Sequence, residues 1–555
     1  MKRDKNKYEL YLKVSEKNIK YDEIKFQRLI NRNVLDPKEN NYKIYSKNQS
    51  TIFKSIIDLE HDYVPFYWDV FVVFKKNGEF LPLQVDKLSE DVRKIIDIDV
   101  FKKEIRTQNN NILYPYITAG GSLAFTFRKV EAYETSVNFK KEILAFNLYN
   151  LLKKFFDSKN IWIIFEKNSF GAHDNGFHFF KYMYENEKHP NTYFVIRKDS
   201  PELKNLKNME DKIIYFMSFK YFIYMFAAKV FISSDTKFHS YNLQRRDSLL
   251  AKSMMHKKNV FLQHGMNGIK KVPVFHKKRG LLDLITSPSN FERENINIKK
   301  WGYSPNEVVA TGYARWDSYF DKTGMLSYRQ IFMMPTWRKS MEGISREEFI
   351  TTKFYKEYQA FLNSPRLKEV MLKNNVRLAF FLHPYFKNYV DLFTIDDSFV
   401  DKHEYLDVDM GEEIMRSSMM ISDYSSVLWD MFYLKKPVLF YQFDQSDYLK
   451  SEGSYLDYDR ELFGDVVFDA DSVVQKVIEY IDSDFSEKPE YSVMRNKYMN
   501  FHDHNNSERI YKAILSKKKL LGIENNWTFW RRVTRKLWKI KKKIKIIIQK
   551  LLGKN

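Results

Sequence analysis

Residues 419–441 read MMISDYSSVLWDMFYLKKPVLFY, and this stretch decides the fold. Met419-Met420-Ile421 has the apolar character of a buried strand, the chain breaks at Ser422-Asp423-Tyr424-Ser425-Ser426, and helical spacing then runs to Lys435-Lys436-Pro437 before a second apolar run. Strand, sharp turn, helix and strand form the unit of a helix-covered parallel sheet. Free N–H groups at the helix start, the positive end of its dipole and the hydroxyls of Ser425 and Ser426 would seat an anionic phosphate. The same letters also spell an ordinary serine N-cap, so the rest of the chain has to decide.

Outward from this stretch the same alternation recurs. Ile331–Met334, Leu378–Leu382, Val438–Tyr441 and Val466–Phe468 are short apolar runs that complete one sheet. Before a hinge-like stretch at Asp321–Ser327, a second series comprises Trp162–Phe165, Tyr193–Ile196, Lys212–Phe216, Lys229–Ile232, Asn259–Leu262, Leu281–Ile285 and Val308–Ala310. Two consecutive doubly wound α/β domains imply a cleft between the carboxyl ends of two sheets, where ligands bind in such folds. Ahead of them, Tyr67–Phe74 with the turn Lys75-Lys76-Asn77-Gly78, and Tyr114–Thr118 with Leu123–Arg128, read as hairpins of a β-rich accessory domain. The expected boundaries are 1–135 for that domain, 136–325 and 326–485 for the two α/β domains, 486–526 for closing helices and 527–555 for a basic helix. An amphipathic helix over 138–156 joins the first two.

At 555 residues, with 44% hydrophobic and 17% aromatic content, the chain holds several packed cores. It has no Cys, which excludes disulfides, thiolate metal sites and cysteine nucleophiles. The first thirty residues show no secretory h-region, and the longest apolar run, Tyr221–Ile232, is too short for a bilayer and is interrupted by Lys229. A cytoplasmic-side protein is expected. The net charge of +21 calls for an acidic partner, and eleven Lys or Arg with no Asp or Glu lie in 527–555. There Trp530, Val533, Leu537, Ile540 and Ile544 recur every three or four residues. Trp527, Trp538, Arg531, Arg532, Arg535, Lys536 and Lys539 accompany them, as suits an anionic membrane surface better than a coiled coil or nucleic acid.

Chemistry concentrates at strand ends. His264 follows Phe261-Leu262-Gln263, and His383 follows Phe380-Phe381-Leu382, one imidazole per sheet at the expected cleft edge. Gly265 removes a side chain beside His264 so that a ligand can approach, and Pro384 fixes the turn after His383. Thr336 and Arg338, in Pro335-Thr336-Trp337-Arg338, end another strand. Arg338 suits bidentate phosphate binding, or else a surface pair with Glu342 or Glu347. Thr311–Asp317 brings a strand into Gly312 and then an Arg315/Asp317 pair, read as closing the interdomain edge. No Asp or His cluster at ligand spacing demands a metal, although a pyrophosphate substrate recruits Mg²⁺ in many sites.

The ordered series Gln263-His264-Gly265, Thr311–Asp317, Pro335–Arg338, Leu382-His383-Pro384 and Ser422–Ser426 with Lys436-Pro437 resembles the CDP-glycerol glycerophosphotransferase family, the teichoic-acid primases and polymerases. The resemblance covers about residues 160 to 485. It implies a GT-B architecture and transfer of an alditol phosphate from CDP-glycerol or CDP-ribitol to a hydroxyl of a lipid-linked polymer, with release of CMP. It also implies His264 as base and His383, a second catalytic residue, with Ser425 and Ser426 as the groups that hold the donor phosphates; Asp423, Arg338, Thr336 and Gly265, at the same strand ends, are expected to complete the donor-phosphate site. From the basic tail and the lack of a ligand cluster, no resident cofactor, no nucleic acid partner and a peripheral place on the cytoplasmic face of the membrane are expected, with the oligomeric state open. Gln263 stands where the family has Trp, and Ala314-Arg315-Trp316-Asp317 where it has Pro-Arg-Asn-Asp. Asp174-Asn175 after Phe170-Gly171 resembles an early turn of the family. The alternatives are a GT-B glycosyltransferase using a nucleotide sugar, and a membrane adaptor on an inactive scaffold.

Overall fold

The computed structural model describes residues 2–523 except 5–6, 16–22, 32–36, 40–41, 48–49, 59–62, 86–87, 99–103, 108, 119–120, 241–247, 339–340, 342–343, 383–385, 387–388 and 404–407. His383 and the whole 527–555 segment therefore lie outside the described residues. The chain divides into two compact units, Met1–Leu148 with Leu243–His256, and Tyr149–Asn242 with the described residues from Lys257 onward. Both α/β sheets fall in the second.

The first unit is a pair of antiparallel sheets. Phe66–Lys76 and Glu79–Gln84 form the hairpin that the Asn-Gly pair predicts, with Asn77 at φ 51° and Gly78 at φ 85° supplying the left-handed turn. Asn111–Ile117 and Leu123–Lys129 pair likewise. Tyr8, Leu10 and Ile57 from one sheet and Trp68, Val70, Leu113 and Phe125 from the other share a core. Alternating apolar positions on facing strands produce such a sandwich.

In the second unit, seven parallel strands are β1 (Ile161–Phe165), β2 (Thr192–Ile196), β3 (Ile213–Tyr215), β4 (Ala228–Ser233), β5 (Lys258–Phe261), β6 (Leu284–Ser287) and β7 (Val308–Ala310), in the order β3-β2-β1-β4-β5-β6-β7. Six more, β8 (Arg329–Met333), β9 (Val376–Phe381), β10 (Val400–His403), β11 (Met419–Ser422), β12 (Val438–Tyr441) and β13 (Asp465–Val467), run β10-β9-β8-β11-β12-β13. Each order reverses direction at its first strand, the doubly wound arrangement that opens a crevice at the carboxyl ends. Two such domains in series make the GT-B fold. The inner strands are apolar on both faces, as burial under helices on each side requires: every residue of β1 and β11 is buried.

Three local expectations change. β6 begins at Leu284 because Asp283 accepts from the Asn259 N–H and its own N–H goes to the Asn259 side chain, which takes it out of the ladder. β10 was hidden in the polar edge sequence Val400-Asp401-Lys402-His403. The helix after Ser426 is short, Leu428–Tyr433. At the end of the described chain, α-helix Asn506–Ser516 crosses back to the first sheet. Ile510 and Ile514 pack with Trp162 and Ile164, and Asp317 accepts from the Asn506 and Ser507 N–H groups at 2.7 Å each. This cap needs Gly312, whose φ of 80° and missing side chain let Asn506 close over it.

Candidate active site at the interdomain cleft

β5 ends in a residue that turns the chain sharply. Gln263 is buried at φ 59°, a left-handed conformation unusual for a side-chain-bearing residue. Its amide donates to the Thr286 carbonyl at 3.2 Å and its carbonyl oxygen accepts from Asn267. The turn carries the next side chain, His264, out of the sheet, and its ring is 75% exposed.

His264 Nδ1 lies 2.7 Å from Asp174 Oδ2, ninety residues earlier in the sequence. Asp174 is buried at the start of α1 (Asn175–Glu185), just past the loop that follows β1. Burial alone would push its carboxyl up, but the charges of His264 and Arg315 hold it well below the ordinary range. An ionised carboxylate on Nδ1 fixes the tautomer with Nε2 facing the cleft, and its charge raises the imidazole's own pKa against the opposing effect of desolvation. An exposed imidazole nitrogen oriented by a buried carboxylate is the arrangement of a general base.

Arg315 holds this dyad from behind. Its buried guanidinium donates to Asp174 Oδ1 at 3.0 Å and to the His264 carbonyl at 2.6 Å, both in the first domain. It also makes bonds of 3.0 Å to both carboxylate oxygens of Asp430, in the second. Its own N–H donates to Asn175, whose side chain in turn donates to the Gln263 carbonyl. Trp316 adds a 2.7 Å bond to Asp430 and stacks on Tyr433 at 4.2 Å. Arg315 and Asp317 thus do not pair with each other. One bridges the domains, and the other caps the returning helix.

The second domain meets the dyad through Ser426. A Cβ on Gly265 would lie 2.5 Å from Ser426 Oγ, so this glycine admits the serine of the facing domain, where the sequence implied room for a ligand. Ser425 Oγ accepts from the Val427 N–H at 3.3 Å, and its own proton has no acceptor among the described residues.

Two assigned residues are corrected. Arg338 does not offer its guanidinium to a phosphate: it is buried between Asp423 and Asp444 at 2.7 Å from each, and stacks over Tyr424. Asp423 is fully buried and accepts from Arg338, the Thr336 N–H and the Tyr424 N–H, so it braces the turn and does not face the cleft. The two desolvated carboxylates draw their countercharge from this guanidinium, which is therefore committed to them. The Thr336 hydroxyl is buried with no partner among the described residues. Tyr424 stacks on Tyr448 at 3.5 Å, so Ser425 and Ser426 project from a rigid base.

One cluster escaped the sequence reading. Glu166, His173 and Glu202 bring a ligand atom each within 4.8 Å of one another, a spacing compatible with a cation. Their oxygens are already engaged: Glu166 accepts from the Asp174 and Phe177 N–H groups, and Glu202 accepts from Ala172 N–H and His173 Nδ1. The cluster shapes the loop that carries Asp174. Asp174 itself was legible only as a familiar turn; an Asp-Asn pair just past a strand and before a helix is the signal that marks it as a partner for a cleft histidine.

The profile of the family described as CDP-Glycerol:Poly(glycerophosphate) glycerophosphotransferase matches residues 146–516. The minor teichoic acid biosynthesis protein GgaB of Bacillus subtilis (strain 168) is 28% identical over 387 residues, 68% of this chain and 42% of its own length. The teichoic acid ribitol-phosphate polymerase TarL of Staphylococcus aureus (strain NCTC 8325 / PS 47) is 26% identical over 234 residues, 39% of this chain and 38% of its own. The chain thus spans about two fifths of the length of these curated relatives. A solved structure of the wall teichoic acid polymerase TagF aligns over 70% of this chain and 100% of that chain, at 16% identity and a TM-score of 0.48. With its profile matched from the joining helix to the returning one, the chain belongs to the CDP-glycerol:poly(glycerophosphate) glycerophosphotransferase family.

Proposed function

We propose that the protein transfers glycerol phosphate, or a related alditol phosphate, from a CDP-activated donor to a hydroxyl of a teichoic-acid or capsule-type acceptor. The observation that carries this reading is the Asp174–His264 pair, an oriented base beside Gly265, against which the facing domain sets Ser426 of the Ser425-Ser426 turn. His264 Nε2 takes the acceptor's hydroxyl proton, and the acceptor oxygen attacks the phosphorus bearing the alditol. The bond from that phosphorus to the bridging oxygen breaks, and CMP leaves with that oxygen. Charge that builds on the phosphoryl oxygens meets the two serine hydroxyls and the N–H groups beside them. His383, which lies outside the described residues, serves the same phosphates in this reading, as the sequence order implies. The residues at hand do not require a cation for these steps, and a Mg²⁺ carried in by the diphosphate is compatible with them.

The test is a donor panel. The purified chain is incubated with CDP-glycerol, CDP-ribitol and nucleotide sugars, together with a short alditol-phosphate oligomer as acceptor. CMP release from a CDP-alditol is expected; nucleoside diphosphate from a sugar donor alone would mean a glycosyltransferase, and no release from any donor would mean an adaptor.

A pH prediction follows from the dyad. Because Asp174 raises the His264 pKa, the free base appears only above that raised value, and kcat/KM climbs with pH through it. Asp174→Asn is expected to lower the maximal rate and to move the acid limb to lower pH. The same pair stabilises the fold below the ordinary imidazole pKa and loses that contribution as pH rises through the raised one. An acid limb that stays in place in Asp174→Asn shows that the limb belongs to another group.

We further infer that residues 527–555 hold the protein on anionic membrane, on the cytoplasmic face where a lipid-linked acceptor would lie. The support is their charge and spacing, and no described helix is long and apolar enough to cross a membrane. Deleting them is expected to release the protein from phosphatidylglycerol-containing vesicles in a flotation assay, and binding that persists assigns the contact elsewhere.

A further inference from the structure

Beside the dyad lies a cavity of about 310 Å³ that the proposed chemistry has not used. One wall is the start of α1 with the loop before it, the other is the helix Met410–Arg416, and Ser318, Tyr319 and Lys322 of the interdomain connection close it. It adjoins the reacting centre: His173 in its wall directly precedes Asp174, and the charges of Asp174 and Arg315 both act on its His178. The volume suits a single sugar ring or a short polyol.

The protonation of His178 can be read from its neighbours. The Ser318 hydroxyl has one proton and lies 2.9 Å from the Arg315 carbonyl, which can only accept. With the proton given to that carbonyl, the same oxygen accepts from His178 Nδ1 at 3.1 Å, and in this arrangement Nδ1 carries the ring's proton. Burial keeps the imidazole neutral, pushing it down to about 4. Nε2 is left as a lone-pair acceptor with no partner among the described residues, and it is not sealed from solvent. Across the cavity, Asp409 uses Oδ1 to cap its helix, accepting from Gly411 N–H at 2.8 Å and Glu412 N–H at 3.2 Å, and Oδ2 has no partner among the described residues. Asn205 donates to the Ala172 carbonyl and keeps its own oxygen available.

Donors complete the set. His173 is held protonated, up to about 10, by Glu202 and Glu166 against the effect of burial. With Nδ1 on Glu202, its Nε2–H is a free donor. Lys322 spends one of three protons on Glu412 at 2.6 Å. An anion entering here would meet the carboxylates of Asp409 and Glu412 as well as the cations His173 and Lys322, and an apolar group would strip all five groups of water without replacing it. Hydroxyls, which donate and accept at once, satisfy both kinds.

We propose that this cavity binds an uncharged polyhydroxylated unit, an alditol or a sugar, with His178 Nε2 and Asp409 as acceptors and His173 and Lys322 as donors. In the reaction proposed above, on which the assignment of the unit to a reactant rests, it is either the alditol of the donor or the hydroxyl-bearing terminus of the acceptor.

The binding itself is tested without turnover, by saturation-transfer NMR of ribitol and of glycerol on the full chain. Signal on the wild type is expected, with at least a fivefold loss in His178→Phe and in Asn205→Leu, and little competition from inorganic phosphate. No signal on the wild type, signal unchanged in both variants, or displacement by phosphate overturns the proposal. Melting temperatures report whether each variant folds, and Lys322→Met replaces any that does not. Kinetics then separate the sources. A tenfold rise in the acceptor's KM with the donor's unchanged assigns the acceptor terminus, the reverse assigns the donor's alditol, and both KM values unmoved in an active enzyme overturn the proposal. A wild type that binds ribitol but releases no CMP from any donor refutes the transferase reading and leaves the cavity standing.

Discussion

His264→Ala is expected to lower the rate of CMP release by about 10²–10⁴-fold, the range that a positioned general base contributes, while the donor's KM changes little. The separation follows from where the ring sits. It is largely exposed and its only side-chain partner among the described residues is Asp174, so truncation leaves no packing void. Its backbone carbonyl, which Arg315 holds, survives the substitution. Folding is therefore expected to be close to wild type, and a thermal melt alongside the kinetics distinguishes lost chemistry from lost structure. His264→Gln is expected to be as slow as the alanine variant, since an amide hydrogen-bonds to Asp174 but cannot take a proton at neutral pH. Full turnover in either variant removes His264 from the reaction and with it the reason to read the cleft as a transferase site.

What the sequence made legible and what it hid divide along a physical line. Parallel strands are buried on both faces and advertise themselves as apolar runs, so Trp162–Phe165, Asn259–Leu262 and Met419–Ile421 were readable from composition alone. The edge strand Val400–His403 is polar at three of its four positions and was not. Strand ends are readable too, which is why the sequence alone puts His264 at a cleft edge. Partners were not, because charge pairing has no sequence period. Arg338 looks like a free phosphate ligand until Asp423 and Asp444 close on it from 85 and 106 residues away. Gly265 looks like space for a substrate until Ser426 is seen filling it. A buried ion pair reads in sequence as two isolated charges, and two isolated charges in a cleft resemble a binding site.

Arg315→Ala is the variant expected to damage both stability and chemistry. Removing one partner of a buried charge network leaves the others desolvated and unpaired, which costs on the order of 3–5 kcal/mol. Here two buried carboxylates, Asp174 and Asp430, would lose their shared guanidinium, keeping among the described residues only His264 and Trp316 respectively. Lysine is not a rescue, because a single ammonium cannot span acceptors on both domains as the guanidinium does. Asp430→Asn separates the two arms: it weakens the hold on the second domain while Arg315 keeps Asp174 and the His264 carbonyl, so a smaller loss of stability is expected. The pH profile distinguishes the bridge from mere scaffolding. The positive charge of Arg315 disfavours the imidazolium form of His264, opposing Asp174. Its removal should therefore move the acid limb of kcat/KM to higher pH, opposite to the shift in Asp174→Asn. Urea unfolding and rate profiles of the three variants check this, and acid limbs that move the same way in Arg315→Ala and Asp174→Asn would show that the guanidinium tunes the base by some route other than its charge.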